Sequence, residues 1–324
     1  MQRAFFLVAL LFIFSSCKKE KSSVEFSSIV SGTDFNLYAI RKISGDSIIA
    51  CGGKEEKGIV IISSDGGTSW SKLKDDFDQL IYDIYFFNNK LGFAAGGTPD
   101  VFKTTDGGIT WKKLYLPFPV TGFPLAYRVP LRKIFFVNDS IGFICGGGRY
   151  EAGIIFKTFD KGQSWSLNLF EHELRGIYFM NQTTIIACGY GTIIKTTDSG
   201  NNWKAVDIPN EFYTSLIFSS GKLWAAGYNG GIYLSSDEGE NWKVANKSNN
   251  AYSSRSHFNC MASTENGILI AAGTDGIISI SRDNGASWEE GESFDRTTIK
   301  CIFLKDEHAG IAVGNEGKIF SFSF

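Results

Sequence analysis

The sequence lacks the features that mark several common classes of protein. The 324-residue chain has only three histidines and three methionines, and it contains no Cys-x-x-Cys pair. The histidines, at positions 172, 257 and 308, stand alone, so no metal-binding spacing is present. The formal net charge is −2, which lacks the basic excess typical of nucleic-acid-binding proteins. The sequence therefore predicts no metal, no cofactor and no nucleic-acid partner.

Long apolar runs are also scarce, and the one at the start of the chain, Ala4 to Phe14, is too short to span a bilayer. Arg3 precedes it and Ser15-Ser16-Cys17 follows, a pattern that resembles a bacterial lipobox except that Phe14 replaces the usual leucine. We expect a signal peptide over residues 1–16, and a lipidated Cys17 with a polar tether over residues 17–23. An ordinary signal peptide cleaved nearby is the alternative. The predicted location is a bacterial cell envelope, at the outer membrane or the periplasmic face of a membrane, where the lipid alone attaches the protein.

The strongest pattern present is a phrase of eight residues, [Ser/Thr]-x-Asp-x-Gly-x-x-Trp, which occurs six times. It contains six of the seven tryptophans, and its aspartates are 41, 54, 38, 39 and 46 positions apart. This is the period of a β-propeller blade. The six structural aspartates are Asp65, Asp106, Asp160, Asp198, Asp237 and Asp283.

Each phrase is predicted to form the turn between the third and fourth strands of a blade. The aspartate caps backbone N–H groups, the glycine adopts a positive φ, and the tryptophan seals the turn against its neighbour. A calcium site is the alternative. Each copy has a single Asp, whereas a calcium loop needs several clustered oxygens, so the structural role is favoured.

The phrase resembles the Asp-box, or BNR repeat, of sialidases, sortilin-type receptors and the photosystem II assembly factor family. The longer repeat, Leu-x-x-Ile-x-Phe…Gly-Phe-x-x-Gly followed by the phrase, is most similar to the assembly factor family over residues 24–324. That resemblance implies a seven-bladed, non-catalytic propeller, which binds a membrane-protein partner through a face that carries arginines.

Seven repeat units can be counted, which begin near Tyr38, Tyr82, Arg132, Arg175, Thr214, Phe258 and Ile299. The last unit lacks its phrase and its fourth strand. Residues 24–30 precede the first unit and are predicted to supply that strand, which closes the ring and removes its exposed edges. The predicted fold is all-β: one domain, residues 24–324, with seven four-stranded antiparallel blades. We expect a monomer.

Five cysteines remain after Cys17. Cys51, Cys145 and Cys188 occupy positions where other blades have alanine or valine, so they are predicted to be small buried residues. Cys260 and Cys301 occupy equivalent first-strand positions in neighbouring blades. A disulfide there is compatible with an oxidising envelope, and unpaired burial is the favoured alternative.

The loops opposite the repeated turns differ between blades, and binding sites usually lie on such loops. Seven of the nine arginines are predicted on this face. Arg132 and Arg175 take the same position in neighbouring blades, at the entrance to the first strand, without an evident acidic partner. An anion bound between them would relieve their repulsion. Solvated charges that pair with Asp83, Glu151, Glu171 and Glu173 are the alternative. The predicted partner site comprises Tyr82, Arg128, Arg132, Arg149, Tyr150, Arg175 and Phe258.

The expected function is non-enzymatic binding of a protein or peptide partner, for which an anionic partner is one option, by an envelope scaffold. One alternative is a sialidase-type hydrolase, because Tyr127-Arg128-Val129-Pro130 is similar to the arginine motif of that family. The motif lies between the second and third blades rather than before the first, and no acid or Tyr–Glu pair can be assigned. The other alternative is a purely structural envelope component.

Overall fold

The computed structural model describes residues 24–117, 129–208, 211–247, 257–291 and 295–324. These residues form seven separate antiparallel sheets of four strands each, which confirms the seven-bladed prediction. Along the chain the strands are β1 (Glu25–Ile29), β2 (Asn36–Ser44), β3 (Ser47–Lys54), β4 (Lys57–Ser63), β5 (Ser71–Phe77), β6 (Ile81–Phe86), β7 (Gly92–Gly96), β8 (Asp100–Thr104), β9 (Lys112–Tyr115), β10 (Leu131–Phe136), β11 (Gly142–Gly148), β12 (Ala152–Thr158), β13 (Ser166–Phe170), β14 (Leu174–Phe179), β15 (Ile185–Gly189), β16 (Thr192–Thr196), β17 (Lys204–Val206), β18 (Tyr213–Ser219), β19 (Lys222–Gly227), β20 (Gly231–Ser235), β21 (Lys243–Lys247), β22 (Phe258–Ser263), β23 (Leu269–Gly273), β24 (Ile278–Ser281), β25 (Glu289–Gly291), β26 (Ile299–Leu304), β27 (Ala309–Gly314) and β28 (Ile319–Ser323).

The predicted closure of the ring is confirmed. The seventh sheet has the order β1-β28-β27-β26, so the first strand of the chain completes the last blade. Strand β1 runs antiparallel to β28, with Glu25 opposite Ser323 and Ile29 opposite Ile319. Val24 and Phe26 pack onto the core of this blade, which adds buried apolar surface to the ladder of hydrogen bonds.

The core of the protein lies between the blades rather than within them. Seven apolar clusters each combine residues of two neighbouring blades, including one that joins the seventh blade to the first. Strand residues alternate between the two faces of a sheet, so successive residues such as Ala39 and Ile40 enter clusters on opposite sides of their blade. Each blade is therefore stabilised by both neighbours.

The repeated phrase forms the turn between the third and fourth strands. In the turn before β13, Thr158 Oγ1 accepts from Gly162 N at 2.9 Å, and Asp160 Oδ1 accepts from Ser164 N at 2.8 Å. Gly162 has φ +74°, and a Cβ there would lie 2.9 Å from the Phe93 ring of the preceding blade. The fourth strand starts one residue after the tryptophan, because the indole belongs to the turn: Trp70 Nε1 donates to Gly67 O at 3.1 Å.

The cysteines follow the favoured expectation. All five in the described chain are buried, and each is a free thiol, so Cys260 and Cys301 form no disulfide. In the same part of the chain, no helix is long and apolar enough to cross a membrane. Cys17, and with it the predicted leader and tether, lies outside the described residues.

Candidate functional site

Every blade has a β-bulge at the same place in its first strand. The register between first and second strands skips one residue in each of the seven sheets. A bulge leaves its extra residue outside the ladder and redirects its side chain. The seven bulge residues are Tyr38, Tyr82, Arg132, Arg175, Thr214, Asn259 and Lys300.

Glycine at the end of the second strand makes this arrangement sterically possible. A Cβ at Gly189 would lie 1.8 Å from the carbonyl oxygen of Glu173, and a Cβ at Gly273 would lie 1.7 Å from that of His257. These carbonyls belong to the residue two positions before the bulge. Only glycine lets the first strand approach its partner so closely, which explains why the second strand of every unit carries a glycine here.

The seven bulge residues line one cavity. Its volume is about 250 Å³, and the remaining lining residue is Lys133, next to a bulge. Because one residue from each blade contributes, the cavity lies on the axis around which the blades are arranged. We call it the axial cavity.

Glu173 links the two arginines at the mouth of the axial cavity. Its side chain is 2 % exposed, and its Oε1 lies 2.6 Å from Arg175 Nε and 3.5 Å from Arg132 Nη2. Its Oε2 accepts from Tyr150 N at 3.3 Å. The expectation that Arg132 and Arg175 lack an acidic partner is therefore wrong, because the carboxylate before β14 turns inward between them.

One carboxylate does not neutralise the cavity. Four basic side chains line the cavity, Arg132, Lys133, Arg175 and Lys300, and its described lining includes no acid. Glu173 is ion-paired with the two arginines, so the formal charge of these five groups is +3. Burial, followed by repulsion from Arg175 and Arg132, lowers the pKa of Lys300. Burial and the nearby Arg132 also lower the pKa of Arg175, against the opposing effect of Glu173. The cavity holds like charges close together, an arrangement that a bound anion would stabilise.

Aromatic rings hold both guanidinium groups in place. Arg132 lies over the Tyr82 ring at 4.4 Å, and Tyr82 packs against Tyr38 with ring centroids 4.9 Å apart. Arg175 lies 5.1 Å from the centre of the Phe212 ring. Cation–π contacts of this kind fix the direction of a guanidinium without neutralising it.

A row of aromatic side chains extends from the cavity across the loop face of blades 3 to 6. Successive ring centroids are 4.9 Å apart for Tyr150–Tyr190, 5.4 Å for Tyr190–Phe212, 4.4 Å for Phe212–Tyr228 and 3.8 Å for Tyr228–His257. Tyr150 and Tyr190 are 50 % and 42 % exposed, so the row presents rings to solvent. We call these five residues the aromatic band.

The other predicted site residues are placed differently. Arg149 lies in the turn between β11 and β12 beside Tyr150, at the rim, with φ +55°. Phe258 is 2 % exposed in the core between blades 5 and 6, so its assignment to the partner site is wrong. The bulge of that blade directs Asn259, one residue later, into the axial cavity. Arg128 lies outside the described residues.

The alternative of local ion pairing holds in part. Arg41 Nη2 lies 2.9 Å from Asp83 Oδ1, and Asp83, 1 % exposed, also accepts from Ile134 N at 3.1 Å. This pair raises the pKa of Arg41 and removes its charge from the basic set. The predicted site missed Tyr38, Thr214, Asn259 and Lys300, although all four share the strand position that singled out Arg132 and Arg175. Glu173 was named only as one of four acids in the alternative of local ion pairing.

The described chain offers no cluster of three or more metal-ligating side chains. In the repeated turns each aspartate is surrounded by donors, such as Ser287 N at 2.8 Å from Asp283 Oδ1. Those hydrogen bonds use the carboxylate oxygens that a cation would need.

Comparisons with known proteins agree with this architecture. The family model described as photosynthesis system II assembly factor YCF48 matches residues 64–210. The photosystem II assembly lipoprotein Ycf48 of Synechococcus sp. (strain CC9902) is 25 % identical over 141 residues, which are 42 % of this chain and 39 % of that protein. The match thus spans about two fifths of that relative's length.

Two solved structures share the fold over almost the whole chain. A YCF48 bound to D1 peptide has a TM-score of 0.69 at 19 % identity, over 92 % of this chain and 95 % of that one. YCF48 from Cyanidioschyzon merolae has a TM-score of 0.71 at 14 % identity, over 92 % and 98 %. The resemblance that the repeat carries is thereby confirmed: the chain is a seven-bladed BNR-type propeller, similar to the photosystem II assembly factor YCF48.

Proposed function

We propose that this protein is a non-enzymatic scaffold that binds an anionic segment of a protein or peptide partner at the axial cavity. The observation that carries the proposal is the convergence of seven bulge residues on one cavity with a net charge of +3. Four basic side chains around a small concave site suit a carboxylate, which an arginine binds bidentately. The binding of a D1 peptide by a YCF48 of the same fold supports a peptide as the ligand.

The aromatic band supports a chain-like ligand rather than a free ion. It begins at Tyr150, whose N–H donates to Glu173, and it ends at His257 on blade 6. Exposed aromatic rings beside a charged cavity supply contact area for the residues that flank an anionic group. The partner segment therefore runs from the axial cavity over the band.

The groups in the cavity favour binding over catalysis. Glu173 already faces Arg132, Arg175 and the N–H of Tyr150, so it is a poor general base. The described lining of the cavity contains no carboxylate that could serve as the acid of a glycosidase. We accordingly expect no turnover of fluorogenic sialosides; turnover that disappears in an Arg128→Ala variant would instead establish the hydrolase.

Within the cell, we infer that the protein acts at a bacterial envelope membrane, to which a lipid on Cys17 attaches it, and assists the assembly of an envelope complex. The named relative is an assembly lipoprotein, which supports this setting. A Cys17→Ala variant is expected to lose lipid labelling and to leave the membrane fraction. Membrane retention of an unlabelled Cys17→Ala protein would contradict the anchor.

Site-specific photo-crosslinking in the native envelope tests the binding site. A benzoyl-phenylalanine at Tyr150, beside the cavity, is expected to capture the partner. The same probe at Ile109, 64 % exposed in a repeated turn on the opposite face, is the matched control and is expected to capture none. Combining the Tyr150 probe with Lys300→Met and Arg175→Gln should abolish capture. Capture that survives these substitutions, or that occurs equally from Ile109, would contradict the proposal.

A further inference from the structure

A second cavity lies between blades 3 and 4, against their outer strands. Its volume is about 490 Å³, which is within the range of pockets that bind ligands. Residues of β13 line it from blade 3, and residues of β16 and β17 line it from blade 4. None of its described lining residues belongs to the axial cavity or to the aromatic band. We call it the outer pocket.

The outer pocket exists because two side chains of blade 4 are small. Ile194 of the third strand lies opposite Ala205 of the fourth, and both line the pocket. The equivalent cross-strand pairs are Phe156–Leu167 in blade 3 and Tyr233–Val244 in blade 5. Both side chains are larger in those pairs, so blade 4 leaves open a space that its neighbours fill.

The floor of the outer pocket is aromatic. The rings of Phe170 and Trp203 lie edge to face, with centroids 5.9 Å apart, and both pack against the apolar core that blades 3 and 4 share. Aromatic rings prefer partners in such tilted arrangements and bury a large area in doing so. The floor therefore suits a third ring placed against these two.

Thr192 adds one polar group to the wall. The residue is 8 % exposed, and it alternates with Ile194 along β16, so both side chains point from the same face of the sheet into the pocket. In the described part of the chain its hydroxyl group has no hydrogen-bond partner. A hydroxyl both donates and accepts, so it can pair with the polar end of a ring that carries one. An apolar pocket with one such polar group is typical of a specific binding site.

The rim of the outer pocket leads to the axial cavity. Glu171 and His172 line the pocket, and the next residue, Glu173, contacts the two arginines at the mouth of the cavity. On the other wall, Thr192 lies two residues after Tyr190, whose N–H donates to Glu173 O at 2.9 Å. Three consecutive residues thus connect the two sites, a distance that a few residues of extended peptide can span.

We propose that the outer pocket binds a tyrosine side chain of the same partner segment. This rests on the proposed function, since the anionic group of the segment occupies the axial cavity. The ring packs against Phe170 and Trp203, and its hydroxyl pairs with that of Thr192. Residues on one side of the anionic group follow the aromatic band, and those on the other side lead to the outer pocket. The preferred ligand is therefore a peptide with an acidic group and a tyrosine a few positions away.

Fluorescence anisotropy with short synthetic peptides tests this assignment. Each probe carries two aspartates and, separated by one to four glycines in either chain direction, a tyrosine, a phenylalanine or an alanine. At its best spacing the tyrosine peptide is expected to bind the whole protein about tenfold more tightly than the alanine peptide, because an aromatic side chain is buried. The phenylalanine peptide should bind about threefold more weakly than the tyrosine peptide, because it lacks the hydroxyl that pairs with Thr192.

Three variants test the pocket itself. Ala205→Leu introduces the residue type of blade 3 and should reduce the preference for tyrosine over alanine to less than about twofold, while the alanine peptide binds as before. Val244→Leu is the matched control, because it enlarges the equivalent residue of blade 5, which is 53 % exposed and lies outside the pocket, and it should retain the preference. Thr192→Val should make the tyrosine and phenylalanine peptides bind equally.

The outcomes separate the two proposals. Equal binding of tyrosine and alanine peptides at every spacing would overturn the outer pocket, and it would leave the axial anion site standing if Lys300→Met still weakens both. A preference that persists in Ala205→Leu, or that Val244→Leu reduces as much, would also overturn the outer pocket. Failure of every peptide to bind the wild-type protein would overturn the anion site and the outer pocket together.

Discussion

Each end of the propeller repeats one backbone feature in successive blades: a turn at one end and a β-bulge at the other. The two features differ in whether their side chains are also repeated. At the repeated turns the same residue types recur and make the same bonds: Thr104 accepts from Gly108 N at 2.9 Å, as Thr158 does from Gly162 N. At the bulges the backbone recurs while the side chain changes from tyrosine to arginine, threonine, asparagine and lysine. The turns, whose side chains are the same in each blade, stabilise the fold. The bulges, whose side chains differ between blades, are available to bind a partner.

The largest effect on stability is expected from acid, because protonation acts on all six repeated turns at once and not on the bulges. Hydrogen bonds from the side chain and N–H of the residue four positions on lower the pKa of Asp106, Asp160, Asp237 and Asp283 to about 2. The ordinary value, near 3.8, applies in the unfolded chain. A depressed folded-state pKa contributes stability above pH 4 that is lost as the pH falls towards 2. We expect Tm to fall between pH 5 and pH 2.5 by more than a single substitution produces.

The control for this acid titration is a variant in which an asparagine amide replaces one of the turn carboxylates. Asp237→Asn retains an acceptor for Asn241 N but cannot be protonated in this range, so the acid-dependent loss of stability should be smaller in this variant. A loss identical to that of the wild-type protein would show that these turns are not the source of the acid sensitivity.

The next largest difference in stability is expected when alanine replaces a glycine in a repeated turn rather than one on the loop face. Gly285 has φ +78°, and a Cβ there would lie 1.9 Å from Trp224 Cη2, which is almost fully buried. Gly285→Ala should therefore lower the free energy of unfolding by about 2–4 kcal/mol through backbone strain and overpacking. Gly97→Ala, on the loop face, should change it by less than about 0.5 kcal/mol. Urea denaturation measures both, and similar values for the two variants would contradict the contrast.

Among the hydroxyl groups of the repeated turns, a buried one should contribute more to the free energy of unfolding than an exposed one. Thr158 is 1 % exposed, and Thr158→Val would leave the buried N–H of Gly162 without its acceptor. We expect a loss of about 1–3 kcal/mol in the free energy of unfolding. Thr68→Val removes an exposed hydroxyl that donates to Asp65 O, and it should cost less than about 0.5 kcal/mol. An equal cost at both positions, measured by denaturation, would contradict this account.

The smallest effect on stability is expected at the cavity. Burial lowers the pKa of Lys300, because desolvation makes its charge less favourable in the folded protein than in the unfolded chain. Lys300→Met keeps the aliphatic stem, removes the charge, and should leave the free energy of unfolding unchanged or raise it by up to about 1 kcal/mol. The same variant should weaken capture of the partner by the photo-crosslinking probe at Tyr150. Marked destabilisation would indicate that Lys300 has a structural role instead.

Most of the fold could be predicted from the sequence because its determinants are local. The hydrogen bonds of each repeated turn form within the eight-residue phrase itself. Six copies of the phrase therefore predict six turns between third and fourth strands, and their spacing predicts the blade length. Closure by residues 24–30 could also be predicted, because a last unit without a fourth strand leaves an edge that some other segment must cover.

The site was predicted only where the strand register was right. Arg132 and Arg175 were correctly placed in equivalent positions, and the structure finds both at bulges. For the sixth blade, a start at Phe258 is one residue early, and a shift of one residue moves a side chain from the cavity to the core. Glu173 was one of four candidate acids in the alternative interpretation, but its selection could not be foreseen, because its inward direction depends on the geometry of the loop before β14 and not on any sequence period.

The pairing of β1 with β28 has a consequence for the order of folding. Glu25 and Ser323 are opposite each other in this ladder although they lie at the two ends of the described chain. A ribosome makes β1 first among these strands and β28 last, so each earlier blade can assemble from nearby residues while β1 has no partner. Contacts between residues so far apart form slowly, because a long loop must close before they are gained. Ring closure is therefore the final step, and until then the unpaired edge of β1 remains open to other chains.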